Sequence, residues 1–263
     1  MHDIDAYRPE LTAIREALLR AQHILFVTGA GISADSGLPT YRGVGGLYDG
    51  NTTDEGYTIE QALSATMWRA HPDVTWKYLW QIGHACVGAE PNVAHRAIAA
   101  WQQVKPHCEL LTQNVDGLHR RAGSTRLIEI HGHAFDLYCQ SCRREFAAAT
   151  LIDDYRGGFS AAPRCQTCGG IIRPNIVLFE EMLPEAAVDQ LQHILNGPLD
   201  MVVSIGTSAA FPYIVQPLLI GRRKGAMCVD INPDPALARH VDIQLPLSAA
   251  VAMAQLCPLN SDI

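Results

Sequence analysis

Short apolar runs alternate along this chain with stretches whose apolar positions recur every three or four residues. The runs Ile24 to Val27, Glu109 to Gln113, Arg126 to Ile130, Asn175 to Phe179, Asp200 to Ile205 and Ala226 to Ile231 are short enough for buried strands. Between them the period lengthens. Pro9 to His23 predicts a helix with Leu11, Ile14 and Leu18 facing a sheet. Ile59 to Met67 and Pro72 to Cys86 predict two more, the second with Val74, Tyr78 and Ile82 on one face and Pro72 and Asp73 in its first turn. Asn92 can cap a helix running through Val93, Ala97 and Trp101. Pro184 to Asn196 carries Pro at its start and Gly197 past its end. Phe211 to Arg223, with a kink expected at Pro217, and Ser248 to Leu256 complete the helices. Gly43 to Thr58, rich in Gly, Asp, Asn and Thr, predicts a mobile loop.

Strands alternating with helices predict an α/β chain with a doubly wound, mainly parallel sheet. Two insertions interrupt it, one helical and one carrying paired cysteines. The expected organisation is a sheet domain from 1–35, 92–133 and 173–263, a helical module at 36–91, and a cysteine module at 134–172.

Composition narrows the classes. The chain has 263 residues, 48% hydrophobic and 18% charged, which fits one large globular domain or one with a small companion. Its net charge of −7 shows no basic block, so no specific nucleic-acid partner is expected. The N-terminal residues have no basic region followed by an apolar core, and no apolar run reaches membrane-spanning length, so neither secretion nor a membrane partner is expected. Four of the eight cysteines form C-x-x-C pairs, which points to a metal in a reducing, cytoplasmic compartment.

The first strand breaks into Gly29-Ala-Gly31-Ile-Ser-Ala34, the G-x-G-x-x-A pattern of a strand-to-helix turn that holds a dinucleotide. Gly29 permits the turn, Gly31 lets a pyrophosphate approach the backbone, and the N–H groups of the helix start would face the phosphate. A Rossmann-like site also expects an acidic residue about 20 residues on, at the next strand end. Here the chain continues through Pro39, Arg42 and a run of glycines with no strand, so the ribose must be held differently.

Cys139-Gln-Ser-Cys142 and Cys165-Gln-Thr-Cys168 suit a zinc ribbon, since two such knuckles place four thiolates at tetrahedral corners. Four thiolates leave no open coordination position, so the metal is structural. Gln113-Asn114-Val115-Asp116 and His131 follow successive strands, and ligands in open α/β sheets bind beyond the carboxyl ends of the strands. A histidine with an amide and a carboxylate nearby is a general-base constellation.

These blocks, with Gly37-Leu-Pro-Thr-Tyr-Arg-Gly43, Arg173-Pro174, Gly206-Thr-Ser208 and Asn232-Pro233, appear in order over most of the chain and together resemble the sirtuins, NAD-dependent protein deacylases. The resemblance implies roles. Gly29, Ala30 and Gly31 would cradle the pyrophosphate, and Tyr41 and Arg42 would close over the nicotinamide side. Gln113 and Asn114 would meet the nicotinamide ribose and Asp116 the carboxamide, with Val115 also among the cofactor-binding residues. Gly206, Thr207, Ser208 and Asn232 would hold the adenosine half. The implied cofactors are NAD and zinc, and the implied partner is an acyl-lysine protein or peptide. The acyl oxygen would displace nicotinamide from the ribose. His131, assisted by Asn114 and Asp116, would then act as base on a ribose hydroxyl that takes over the acyl group. Val177, Leu178 and Phe179 would bind the substrate as an added strand, clamped opposite by residues 209–212.

Three departures stand out. Phe179-Glu180-Glu181 replaces the usual Phe-Gly-Glu, Tyr41 replaces Phe, and His133 stands where a small residue is common. Succinyl-preferring members carry Tyr-x-x-Arg on the helix over the acyl pocket. The matching segment here is Tyr78-Leu-Trp-Gln81, and no Lys or Arg lies between Lys77 and Arg96. An acidic acyl group would lack a partner, so a neutral one is expected. The alternatives are a protein ADP-ribosyltransferase using the same cleft and a non-enzymatic NAD-binding module.

Overall fold

The computed structural model describes residues 4–40, 52–147, 158–235 and 237–258. A six-stranded sheet runs through it, built from β1 (His23–Thr28), β2 (His107–Thr112), β3 (Leu127–Glu129), β7 (Met201–Ile205), β8 (Met227–Ile231) and β9 (Ile243–Leu245). Its order is β3-β2-β1-β7-β8-β9, and every neighbouring pair is parallel. The winding therefore reverses between β1 and β7, which opens a crevice where their following loops diverge.

Both faces of this sheet are covered, which is why the strands read as continuous apolar runs. Ile24 and Phe26 face α1 (Arg8–Arg20), α5 (Val93–Val104) and α9 (Ala249–Gln255), packing with Ile14, Leu18, Ile98, Trp101 and Met253. Leu25 and Val27 face α7 (Glu185–Asn196) and α8 (Pro212–Arg223), packing with Leu191, Leu195, Ile214 and Leu218. Each such buried side chain contributes roughly 1.5–3 kcal/mol relative to exposure. The α1 helix stops at Arg20, short of the expected His23, because Ala21 is extended and His23 already pairs with His107 in β2. The α8 helix continues through Pro217.

A second, antiparallel sheet has the order β5-β4-β6, with β4 (Gly132–Cys139), β5 (Glu145–Ala147) and β6 (Ile172–Ile176). This corrects the expectation of a fourth strand over Asn175 to Phe179 in the main sheet. The strand lies earlier, belongs to the small sheet and crosses the expected boundary at 172/173, and β4 likewise crosses that at 133/134. The apolar run alone does not say which sheet a strand joins.

The helical module packs on this small sheet through Trp68, Trp76, Leu79, Leu137, Ile172 and Leu178. The helix expected over Ile59 to Met67 is two helices, α2 (Ile59–Ala62) and α3 (Ala65–Ala70). Ser64 separates them by capping α3 and bridging to Phe179. On α4 (Pro72–Val87) the buried stripe is Thr75, Trp76, Leu79, Gly83 and Cys86, with Tyr78, so Val74 and Ile82 lie at its margin. Polar anchors rotate the helix: Trp76 Nε1 donates to the Ile172 carbonyl and Thr75 Oγ1 to that of Ala62. Of the predicted loop Gly43 to Thr58, residues 43–51 lie outside the described residues, and Thr53 to Tyr57 form a tight turn.

Candidate active site

The loops after β1 and β7 interlock at the crevice. Gly29 N donates to Ile205 O and Gly31 N to Gly206 O. A Cβ on Gly31 would lie 2.7 Å from Gly206 Cα, and one on Gly29 would lie 2.8 Å from Thr207 Cβ. Gly206 has φ of +59° and faces Ile32 N at 2.4 Å from its own Cβ position. The glycines are thus required first by the contact between the two loops. The segment after Gly29 is also a 3-10 turn, Ala30–Ser36, closed by Gly37 in the left-handed region, and not an α-helix.

A cleft of about 510 Å³ opens here. It brings together Gly29, Ala30, Gly31, Gln113, Asn114, Val115, His131, Gly206, Thr207, Ser208, Asn232 and the segment Val177 to Phe179. Tyr41 and Arg42 lie outside the described residues. Gln113 Nε2 donates to Thr207 Oγ1 at 2.8 Å, and Asn232 Nδ2 donates to Thr207 O at 3.0 Å, so three strand ends are tied by one threonine. Asn114 is buried and donates to Gly29 O and to Ser33 Oγ, both at 3.1 Å.

Asp116 faces a smaller adjoining cavity of about 90 Å³ with Ala30, Ser33, Asn114 and Val115. It accepts from Ser33 Oγ at 2.7 Å and from Leu118 N at 2.9 Å. Burial pushes its carboxyl pKa up, against these hydrogen bonds, which favour the carboxylate. Ser33 was not singled out in the sequence, although it sits inside the glycine motif.

His131 follows β3. Its Nδ1 lies 2.9 Å from the Gln113 carbonyl and its Nε2 lies 2.7 Å from Tyr213 Oη. A carbonyl only accepts, so Nδ1 carries the proton and Nε2 presents the lone pair. Burial lowers the pKa of this ring, the Gln113 carbonyl opposing it, so the neutral, basic form is favoured. Sequence reasoning missed Tyr213. Its place just after Pro212, in the first turn of α8, was the available signal. His133 points away from the cleft: it is buried in β4, lies 3.4 Å from Asp136 and packs under Gly117.

The segment Val177 to Phe179 is held on all its amides. Val177 N donates to His131 O, Leu178 N to the Glu181 carboxylate and Phe179 N to Leu63 O, while Phe179 O accepts from Ala65 N. A peptide strand laid here would have to donate to carbonyls. Glu181 also pairs with buried Arg173 at 2.8 Å, and this holds its pKa below the usual range despite burial.

The four sulfurs of Cys139, Cys142, Cys165 and Cys168 lie within 4.8 Å of one another. An all-thiolate set at that spacing fits tetrahedral zinc. Cys139 and Cys165 are buried against the helical module, so the cluster anchors the small sheet to it. Among the described residues no helix is long and apolar enough to cross a membrane.

Comparison with known proteins agrees with this geometry. The chain is 49% identical to NAD-dependent protein deacylase 2 of Pseudomonas aeruginosa over 256 residues, covering 96% of this chain and 98% of that one. It is 52% identical to NAD-dependent protein deacylase 2 of Pseudomonas syringae pv. tomato, covering 91% and 96%. A solved complex of a Sir2 homologue with NAD superimposes with a TM-score of 0.81 at 30% identity, over 94% of this chain and 92% of that one. The Sir2 family model matches residues 29–212, and the chain belongs to the Sir2 family.

Proposed function

We propose that this chain removes a neutral acyl group from lysine side chains of proteins, using NAD. NAD dependence and protein deacylation are the activities named for relatives at about half identity. The observation that carries the reading is the neutral His131 ring, held by the Gln113 carbonyl, with its basic nitrogen on the cleft between the β1 and β7 loops. The fit to NAD rests on the cleft's size and on the polar groups of Gln113, Asn114, Thr207 and Asn232 around it.

In this reading NAD supplies an electrophilic ribose carbon and nicotinamide as leaving group. The residues of the chain do the rest. Gly29, Ala30 and Gly31 face the pyrophosphate, while Gly206, Thr207, Ser208 and Asn232 face the adenosine half. Asn114, Val115 and Asp116 line the nicotinamide side. His131 Nε2 accepts the proton of a ribose hydroxyl, which suits a group whose unperturbed pKa lies near neutral. Zinc on Cys139, Cys142, Cys165 and Cys168 holds the small sheet, and reduced thiolates there suit a cytoplasmic setting. The domain division expected from the sequence serves as an assignment of role: the sheet domain of 1–35, 92–133 and 173–263 for NAD and the peptide strand, 36–91 for the cofactor loop and helical module, and 134–172 for zinc.

Acyl preference follows from α4. Gln81 and Tyr78 line the smaller cavity, and the Tyr78 hydroxyl donates to Glu55 at 2.5 Å. The nearby cation, Lys77, already pairs with Asp54 at 2.7 Å and Glu55 at 2.8 Å. Among the described residues lining that cavity the charged group is the Asp116 carboxylate, so an acidic acyl chain would meet a like charge and no guanidinium there. The test is nicotinamide release from NAD with and without acetyl-lysine peptide, for wild type and His131→Ala. Release should require peptide and collapse in the variant, and succinyl-lysine peptide should turn over more slowly than acetyl-lysine peptide. Peptide-independent release, or an active His131→Ala, would overturn the reading.

A further inference from the structure

The lone pair of His131 that the reaction needs is already occupied. Tyr213 Oη lies 2.7 Å from Nε2, and because Nδ1 carries the ring proton, the phenol is the donor. A neutral imidazole nitrogen has one lone pair in the ring plane, so it cannot take a proton from a ribose hydroxyl while a phenol points at it. Tyr213 itself is held by its stack on Phe211, with centroids 5.4 Å apart and planes 12° from parallel. Phe211, which precedes α8, lines the same cleft as Val177 to Phe179.

We propose that Tyr213 is a positioning residue that caps the base in the free protein, fixing its ring and tautomer, and is displaced from Nε2 by the ribose hydroxyl when the cofactor binds. The inference rests on the assignment of His131 as base. Its chemistry is a hydrogen-bond exchange, with no bond to carbon made or broken. The phenol proton stays on Tyr213, and the donor to Nε2 changes from the Tyr213 hydroxyl to the ribose hydroxyl. A donor on Nε2 stabilises the neutral ring and lowers the pKa of His131. The other groups facing that ring are the Gln113 carbonyl and the Phe211 edge at 5.9 Å. The charged side chains Glu180, Glu181 and Asp234 line the cleft further out.

The test reads His131 directly, by titrating its imidazole resonances in wild type and Tyr213→Phe, each free and saturated with ADP-ribose. In the free proteins the variant should titrate about one pH unit higher, the worth of one hydrogen bond. With ADP-ribose the two curves should coincide, because a ribose hydroxyl sits on Nε2 in both. In steady state the acid limb of kcat/KM for NAD should move up in the variant, which loss of packing alone would not produce. No difference between the free proteins, or a difference that persists with ADP-ribose, overturns the proposal. Should the variant not fold, wild type alone decides: an Nε2 resonance unmoved by ADP-ribose overturns it equally. An active His131→Ala would remove the base assignment while leaving this titration intact.

Discussion

The carboxylate of Glu180 accepts two hydrogen bonds from Thr66, one from its backbone N–H at 3.0 Å and one from its hydroxyl at 2.6 Å. Thr66 is in the first turn of α3, whose amides lack partners within the helix. Glu180 therefore serves as a side-chain cap. It does so from a strained backbone, with φ of +71°. Two opposing effects follow. Glu180→Ala removes the cap and keeps the strain, whereas Glu180→Gly removes both. The melting temperature should fall clearly for Ala and little for Gly, and equal falls would show that the cap carries no stability.

The contact between Gly31 and Gly206 leaves no room for a methyl group. Gly31→Ala should destabilise by about 3 kcal/mol or more, since backbone on both sides must move. Urea unfolding of the variant checks this, and a shift under about 1 kcal/mol would mean that the loops part easily.

Metal removal should reach far beyond the cysteines. Cys139 and Cys165 share a core with Trp68, Trp76 and Leu178, and structural zinc contributes about 10 kcal/mol in small zinc modules. A chelator should release one metal ion per chain and abolish peptide-dependent turnover. The main sheet, with its separate cores, should persist in far-ultraviolet circular dichroism.

Acid should destabilise the protein through a histidine behind the site. His95 is fully buried, and burial depresses its pKa from 6.5 to about 4. The native state favours the neutral ring, so its stabilising contribution is present above pH 6.5 and is lost as pH falls toward about 4. The loss from this group is on the order of 3 kcal/mol. His119, buried beside it at 4.7 Å, is shifted in the same direction by burial. Urea midpoints measured from pH 7 to pH 4 should decline, and His95→Gln should flatten the decline.

The amino-acid order carried the parallel sheet and the cysteine cluster legibly, because apolar runs and C-x-x-C knuckles have local periods and spacings. It did not carry partners made across the chain. The run at Asn175 to Phe179 is as apolar as a main-sheet strand, and only pairing with Gly132–Cys139 places its strand elsewhere. The break at Ser64 exists because Phe179 needs Leu63 and Ala65 as neighbours. Gly29 and Gly31 were visible as a motif, while the loop that demands them lies some 175 residues further on, at Gly206. Tyr213 was legible only as a residue following Pro212 at a helix start, since nothing local marks its phenol as facing a histidine from another strand end.

His131 meets its surroundings twice, through the ring and through a carbonyl that accepts from Val177 N. Replacing the side chain leaves the carbonyl in place, so the backbone that orients the peptide wall survives the loss of the base. His131→Ala should therefore behave as a trap: with NAD present it should hold the acyl-lysine protein without completing turnover, and affinity capture on the immobilised variant would recover the cellular substrates themselves.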